Sequence, residues 1–470
     1  MRSWIWVAAV GAVAVAACKF NAGTGQTDAK APIDAPTDAP IDAVVNPDGG
    51  TCTGASVQCL PDNITLRTCA AQNDNPVDTA CAWGCITANT PHCGQLVPTG
   101  SAATGSDVLD GSGQLAAVTL PDGTQIDPMS GAITNGPTMI RKAGMGISTS
   151  HIDFEIRNGV AVFRFAGLTI AGQLTFKEPA AQTLYPAVAL VSTQDLAVDG
   201  AIDAQGNCVG GNGGPGGQVG AKANNSAGGS GGGSADPNMD RAQGAGGGGY
   251  GAAGGSGGNG DTLPSSPAGG SGFEDPLITV LIGGGGGGGG AGTDGNAWGG
   301  GGGGAIQLVA NGRLAIGSDG SINAGGCGGI SSQSNKTSSG GGGGAGGAIL
   351  LEAHDITIAG PLAVNGGGGG AANSGSPGDQ GSNAGLGRGA AQGSTNDEGG
   401  AAGGNGGYAL SLAGLPGAST NGWGGGGGGG VGRMRFNTYA GSASVADEDQ
   451  LSPNLSDNQS TCTQGVAQTQ

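Results

Sequence analysis

Apolar residues alternate with polar or small ones in four stretches of the chain. Residues 163–176 read FRFAGLTIAGQLTF and residues 188–206 read VALVSTQDLAVDGAIDAQG. Residues 306–326 read IQLVANGRLAIGSDGSINAGG and residues 349–366 read ILLEAHDITIAGPLAVNG. Each has an alternating apolar run, a short polar break, an apolar-x-apolar pair, a glycine and a second such pair. A period of two puts every other side chain on one face of a strand. Gly or Asn-Gly at the corners makes tight turns. The pattern predicts inward positions at Ile306, Leu308, Ala310, Leu314, Ile316, Ile322 and Ala324 in the third copy. In the fourth they are Ile349, Leu351, Ala353, Ile356, Ile358, Leu362 and Val364. Three short strands per copy, repeated along the chain, predict an all-β fold: an irregular parallel β-helix or solenoid. A β-sandwich with long loops is the alternative. Further strands are expected at 277–282, 408–414 and 431–437.

Composition changes the picture between the copies. Gly supplies 110 of 470 residues and aromatics only 3%, so one thick core is excluded for want of large side chains. Glycine runs at 283–290, 299–304, 340–344, 366–370 and 424–430 lead into or follow predicted strands, and Trp298 and Trp423 precede two of them. A floppy linker has no reason to keep that register. Ordering glycine costs about 0.5–1 kcal/mol per residue relative to Ala. Side-by-side polyglycine-II helices, with three residues per turn, offset that cost through main-chain hydrogen bonds. The longer runs are therefore expected to be ordered, with disordered loops as the alternative. Their pattern resembles the glycine-rich domains of some phage adhesins and receptor ectodomains. Residues 211–275 and 371–406 have few apolar positions and are read as mobile loops.

The N-terminus reads as an export signal: one Arg, an apolar run, then small residues over 1–17. Val15-Ala16-Ala17-Cys18 resembles a bacterial lipobox, which implies cleavage before Cys18 and its lipidation. An ordinary secreted protein or an uncleaved anchor is the alternative. Lys19 in place of an Asp implies an outer-membrane destination by resemblance to enteric sorting. Residues 18–50 form an Asp/Ala/Pro-rich tether, held extended by proline and by charge repulsion. Such tethers resemble those of surface lipoproteins in myxobacteria and related soil bacteria. The whole chain is similar to glycine-rich surface lipoproteins of that kind.

Cys52, Cys59, Cys69, Cys81, Cys85 and Cys93 crowd residues 51–95. In an oxidising compartment they predict three disulfides, with the connectivity left open. A zinc site lacks paired Cys-x-x-Cys ligand spacing. Cys208 and Cys327 follow equivalent points of two copies, and neighbouring strands lie about 4.8 Å apart, so a Cys208–Cys327 disulfide is expected if those turns are neighbours, two buried free thiols being the alternative. Cys462 is left to pair with another chain or to stay free. Residues 96–150 are taken as a connecting segment with short strands, 151–440 as the glycine-rich body and 441–470 as a C-terminal tail.

The net charge of −18 and the absence of a basic patch exclude nucleic acid as a partner class. His92, His151 and His354 are the only histidines. His151 is read as a solvated strand residue and His354-Asp355 as a turn pair. Asp195, Asp199 and Asp203 lie across predicted turns and read as a solvated face. GGNGDTL at 257–263 resembles one unit of a calcium-binding repeat, but it occurs once and lacks a residue before the Asp. No glycine run ends in the Lys-Ser/Thr of a phosphate loop. No metal or cofactor is expected. The expected role is non-catalytic: a lipid-anchored structural or adhesive protein of the cell surface, held to the membrane through Cys18 and contacting glycans, matrix or other cells. The alternative is a polysaccharide lyase or hydrolase, which a groove lined by carboxylates would favour.

Overall fold

The computed structural model describes residues 52–470 except 101–108, 110–113, 179–183, 228–230, 235–242, 261–265, 274, 293–296, 332–337, 373–379, 396–399, 421 and 458–460. Among the described residues the regular structure is strand, apart from one 3₁₀ turn at Glu448–Gln450. The fold is all-β, with parallel sheets.

Two sheets carry the body. In the larger, Val160–Phe165, Ala187–Ser192, Ala305–Ile316, Ala348–Ile358, Arg433–Thr438 and Cys462–Val466 pair in that order, all parallel. In the smaller, Thr124–Ile126, Leu174–Phe176, Ala201–Asp203, Ser321–Asn323, Leu362–Ala363 and Leu451–Ser452 do the same. The chain thus visits the larger sheet, turns at a glycine, visits the smaller sheet, and returns. Val188, Ile306 and Ile349 stand opposite one another, as do Leu196, Leu314 and Ile356. The first copy is offset: Ala161, not Phe163, faces Val188. The offset of two residues keeps the same side chains inward.

All the inward positions predicted for the third and fourth copies lie in one buried cluster with Phe163, Phe165, Leu190 and Ile202. The opposite face of the larger sheet is buried too. There Val162, Ala189, Val191, Val309, Ala348 and Leu350 meet Tyr250, Ile278, Leu281 and Ala345. Burial on both faces explains why these strands run apolar at consecutive positions.

Strands outside the expected body join the same sheets. Ala117–Leu120 and Thr124–Ile126 pair with the first copy, Ser444–Val445 and Leu451–Ser452 with the fourth, and Cys462–Val466 with Arg433–Thr438 beyond it. The segments 96–150 and 441–470 are therefore built into the body rather than flanking it. Two expected strands do not form. In 277–282 the Asp275 carboxylate accepts from the Thr279 N–H and hydroxyl and the Val280 N–H, at 2.7, 2.9 and 3.2 Å. That local capture competes with ladder formation. Ile278, at φ 51°, and Leu281 become core residues instead. In 408–414 Tyr408 and Ser411 exchange main-chain hydrogen bonds at 2.9 and 3.0 Å and close a tight turn.

The glycine runs form an ordered layer. Gly284, Gly287 and Gly290 donate to the carbonyls of Gly303, Gly300 and Ala297 at 2.9, 2.9 and 2.8 Å. Gly285 and Gly288 donate to Gly249 and Gly246 at 3.3 and 2.9 Å. The carbonyls of Gly284, Gly287 and Gly290 accept from Gln218, Ala221 and Asn224 at 3.0, 2.9 and 3.0 Å. The neighbour changes at each residue and returns after three, so every run is bonded on several sides. The runs enter the larger sheet at equivalent points, since Ala305, Ala348 and Arg433 are in register. Much of the described parts of 211–275 and 371–406, expected as loops, belongs to this layer as well, whereas Gly385, Gly387 and Gly389 lie open with no atom near an added Cβ. Gly255 donates to Gly428 and Gly404 to Gly426, each at 2.8 Å. Low apolar content does not prevent order where the main chain itself supplies the bonds.

The six-cysteine module contains Cys52–Cys69, Cys59–Cys85 and Cys81–Cys93 disulfides around the antiparallel strands Ser56–Cys59, Thr65–Cys69 and Val77–Ala80. It is seated on the body. Trp83 Nε1 donates to the Asn311 carbonyl at 2.6 Å, and its ring lies edge-on to His354 and Tyr439, at centroid distances of 5.2 and 5.8 Å. The chain leaving the module is clamped by the fully buried Glu352. That carboxylate accepts from the Thr99 N–H at 3.0 Å, Gln307 Nε2 at 2.6 Å and Asn437 Nδ2 at 2.9 Å.

Candidate functional site

On the smaller sheet, Ile126, Leu174, Phe176 and Ile202 point into the core. Alternation then turns Gln125, Thr175 and Asp203 away from it. Thr175 stands opposite both Gln125 and Asp203 in the ladder, and Asn323 continues the row beyond Asp203. Gln125, Thr175 and Asp203 form the floor of a cleft of about 490 Å³, lined further by Phe176, Lys177, Glu178, Gly206 and Asn207.

The walls are held in place. Lys177 Nζ is bonded to Asp127 Oδ2 at 2.9 Å. The bond raises the lysine pKa. Burial alone would push the Asp127 carboxyl up, but hydrogen bonds from Lys177, Ser130 and the Met129 N–H together bring it below its ordinary value. On the other wall, Asn207 Nδ2 donates to Glu178 Oε2. Asn207 Oδ1 accepts from the Val209 N–H at 2.8 Å. The next residue, Cys208, is bonded to Cys327 with their Cα atoms 5.3 Å apart. Buried Gln205 anchors the same turn by donating to the Gly326 and Ala384 carbonyls at 3.2 and 2.7 Å. The expected Cys208–Cys327 bridge therefore forms, and it fixes one wall of the cleft.

Two carboxyl groups in the cleft hold their protons more tightly than usual. Burial raises the Asp203 pKa, against a hydrogen bond from the Gln205 N–H. Burial likewise raises that of Glu178, against hydrogen bonds from Asn207. Among the described residues the one lysine lining the cleft is already bonded to Asp127, so neither acid has a free cation beside it there. The surface thus offers an amide, a hydroxyl and two carboxyls, all able to bond hydroxyl groups.

The remaining candidates do not converge here. Cys18 and Asp261 lie outside the described residues. The Asp195 carboxylate accepts from the Arg313 N–H at 2.7 Å, at a turn of the larger sheet. His151 sits in a turn at φ 56°, not in a strand, with Nδ1 facing the Gln114 carbonyl at 2.7 Å. His92 faces the Thr90 carbonyl at 2.8 Å. His354 faces oxygen at both ring nitrogens: Asp355 Oδ2 at 2.7 Å and the Ala82 carbonyl at 2.9 Å. It serves the seat of the cysteine module and has no nitrogen left for a substrate. Cys462 is unbonded and buried, and burial pushes its thiol pKa well above the usual range. Among the described residues no three His, Cys, Asp or Glu side chains are grouped to hold a metal ion.

The sequence marks Asp203 only as one of three spaced acids, and nothing local marks Gln125, Lys177 or Glu178. Only the inter-strand register shows that residues this far apart share a cleft. No family model, curated protein or solved structure matches this chain.

Proposed function

We propose that this chain is a lipid-anchored, non-catalytic structural or adhesive protein of the bacterial cell surface, related in kind to glycine-rich surface lipoproteins of myxobacteria. In this reading the two parallel ladders are turns of one irregular β-helix, and the glycine layer is a lattice of polyglycine-II helices grown from its corners. The observation that carries the proposal is the saturation of the glycine layer by its own main chain, with a different neighbour bonded at each residue. Such a body gains rigidity and protease resistance from few large side chains and little charge. Four disulfides are compatible with an oxidising compartment. The lipobox-like Val15 to Cys18 and the tether behind it support anchoring at the outer membrane and display beyond it.

Protease shaving of intact cells tests display. The expected result is release of a resistant fragment beginning after the tether. Full protection until the outer membrane is opened would overturn surface exposure.

One observation favours a second reading, that of a polysaccharide lyase or hydrolase. Glu178 and Asp203 line the same cleft, and both carboxyls are raised by burial. Turnover of polysaccharides by the purified ectodomain, lost in Asp203→Asn, would replace the adhesive reading by the catalytic one.

A further inference from the structure

We propose that the cleft on the smaller sheet binds an uncharged polysaccharide chain laid across the strands Thr124–Ile126, Leu174–Phe176 and Ala201–Asp203. The proposal deepens the adhesive reading and rests on it for its biological setting.

Shape gives the first argument. A cleft of about 490 Å³ is the size of a small-ligand site. Its floor is periodic, because three successive parallel strands each present one outward polar side chain: Gln125, Thr175 and Asp203. Neighbouring strands are about 4.8 Å apart, so the floor is a row of hydrogen-bonding groups at a fixed step. A linear polymer of hydroxylated rings presents a matching repeat, whereas a compact ligand would use only part of the row.

Bonding capacity gives the second. The Gln125 amide is exposed and has no hydrogen-bond partner among the described residues. Asp203, half-buried, lines the cleft and spends Oδ1 on the Gln205 N–H at 3.0 Å, while its Oδ2 has no hydrogen bond among the described residues. An amide and a carboxyl grip paired hydroxyls as both donor and acceptor.

Charge gives the third. The lysine on the wall is bonded to Asp127, Glu178 and Asp203 are acidic, and the chain carries a net charge of −18. An anionic polysaccharide would meet repulsion with no unengaged cation among the described residues of the cleft to offset it. Preorganisation is the fourth argument. The Cys208–Cys327 bridge and the Asn207–Glu178 bond fix the wall before any ligand arrives, which lowers the ordering cost of binding.

The test is titration calorimetry of the purified body with neutral gluco-, manno- and galacto-configured hexasaccharides and with polygalacturonate, at neutral pH. At least one neutral hexasaccharide should bind, and polygalacturonate should bind at least tenfold more weakly. Gln125→Ala should weaken binding several-fold and Gln125→Ala with Asp203→Ala at least tenfold. Lys222→Ala, which lines a separate cavity of about 280 Å³, should leave it unchanged. Gln125 is an exposed side chain, so its variant keeps the test valid even where the double variant fails to fold. Absence of neutral binding, preference for the polyanion, or affinity indifferent to Gln125→Ala would overturn the assignment. Cell shaving separates the two claims. A body that binds hexasaccharides but is protected on cells keeps the cleft and loses the adhesive reading; a displayed body that ignores them does the reverse.

Discussion

Gly343→Ala should destabilise the body far more than one methyl group normally does. An alanine Cβ at this position would lie 2.7 Å from the carbonyl carbon of Gly367 and 2.8 Å from the carbonyl oxygen of Gly368, and closer still to the oxygen of Gly367. Ordinary contact begins near 3.4 Å, so the 366–370 run has to move by more than half an ångström. It is not free to do so. The Gly367 carbonyl accepts from the Gly429 N–H at 2.8 Å, and the Gly367 N–H donates to Gly344 at 2.9 Å. Gly343 itself donates to Gly427 at 2.9 Å and accepts from Gly248 at 2.8 Å. Overpacking costs about 1–3 kcal/mol, and stranding one buried main-chain group adds about 1–3 kcal/mol. The stiffer unfolded chain of the alanine variant returns only about 0.4–1 kcal/mol. The net loss should be about 1–5 kcal/mol, read as a shift in denaturant midpoint at unchanged slope by far-ultraviolet dichroism. Gly385→Ala is the internal control. Its added Cβ meets nothing within 4 Å, so it should be neutral or slightly stabilising. A Gly343→Ala body within 0.5 kcal/mol of the parent would show that the lattice is not close-packed, and the reasoning would fail.

Three further outcomes follow from the same geometry. Cys208→Ser with Cys327→Ser opens a bridge spanning 119 residues and should cost about 2–4 kcal/mol in denaturant unfolding. Glu352→Ala strands the buried donors of Thr99, Gln307 and Asn437; it should cost about 2–4 kcal/mol and let limited proteolysis separate the cysteine module from the body. Asp203→Asn carries a pH signature. Because burial raises the Asp203 carboxyl, the stabilisation from its proton is complete below the ordinary value of 3.8 and is lost as pH rises through the raised folded value. The asparagine variant should therefore melt higher than the parent at pH 7 and equal to it at pH 3. An equal difference at both pH values would refute the desolvation argument.

Much of the local architecture was legible in the sequence. Apolar alternation is a property of neighbouring residues, so it identified the inward positions from Ile306 to Val364 without knowledge of what they face. Equivalent placement in two copies was enough to pair Cys208 with Cys327. The six clustered cysteines announced a module but not its connectivity, because spacing carries no information about which thiols meet.

Tertiary structure decided the rest. Residues 211–275 and 371–406 looked like loops because nothing local distinguishes a glycine awaiting a neighbour from one without any. Their order comes from main-chain partners far along the chain, such as Gly428 for Gly255. The 277–282 segment had the composition of a strand and lost it to one carboxylate, Asp275. The cleft depended on register, which places Gln125, Thr175 and Asp203 in one row although they come from three separate passes of the chain. A sequence states which side of each strand is apolar, through the chemistry of adjacent residues. Which polar residues meet on the opposite side depends on how the strands align, and that is set by the packing of the whole core.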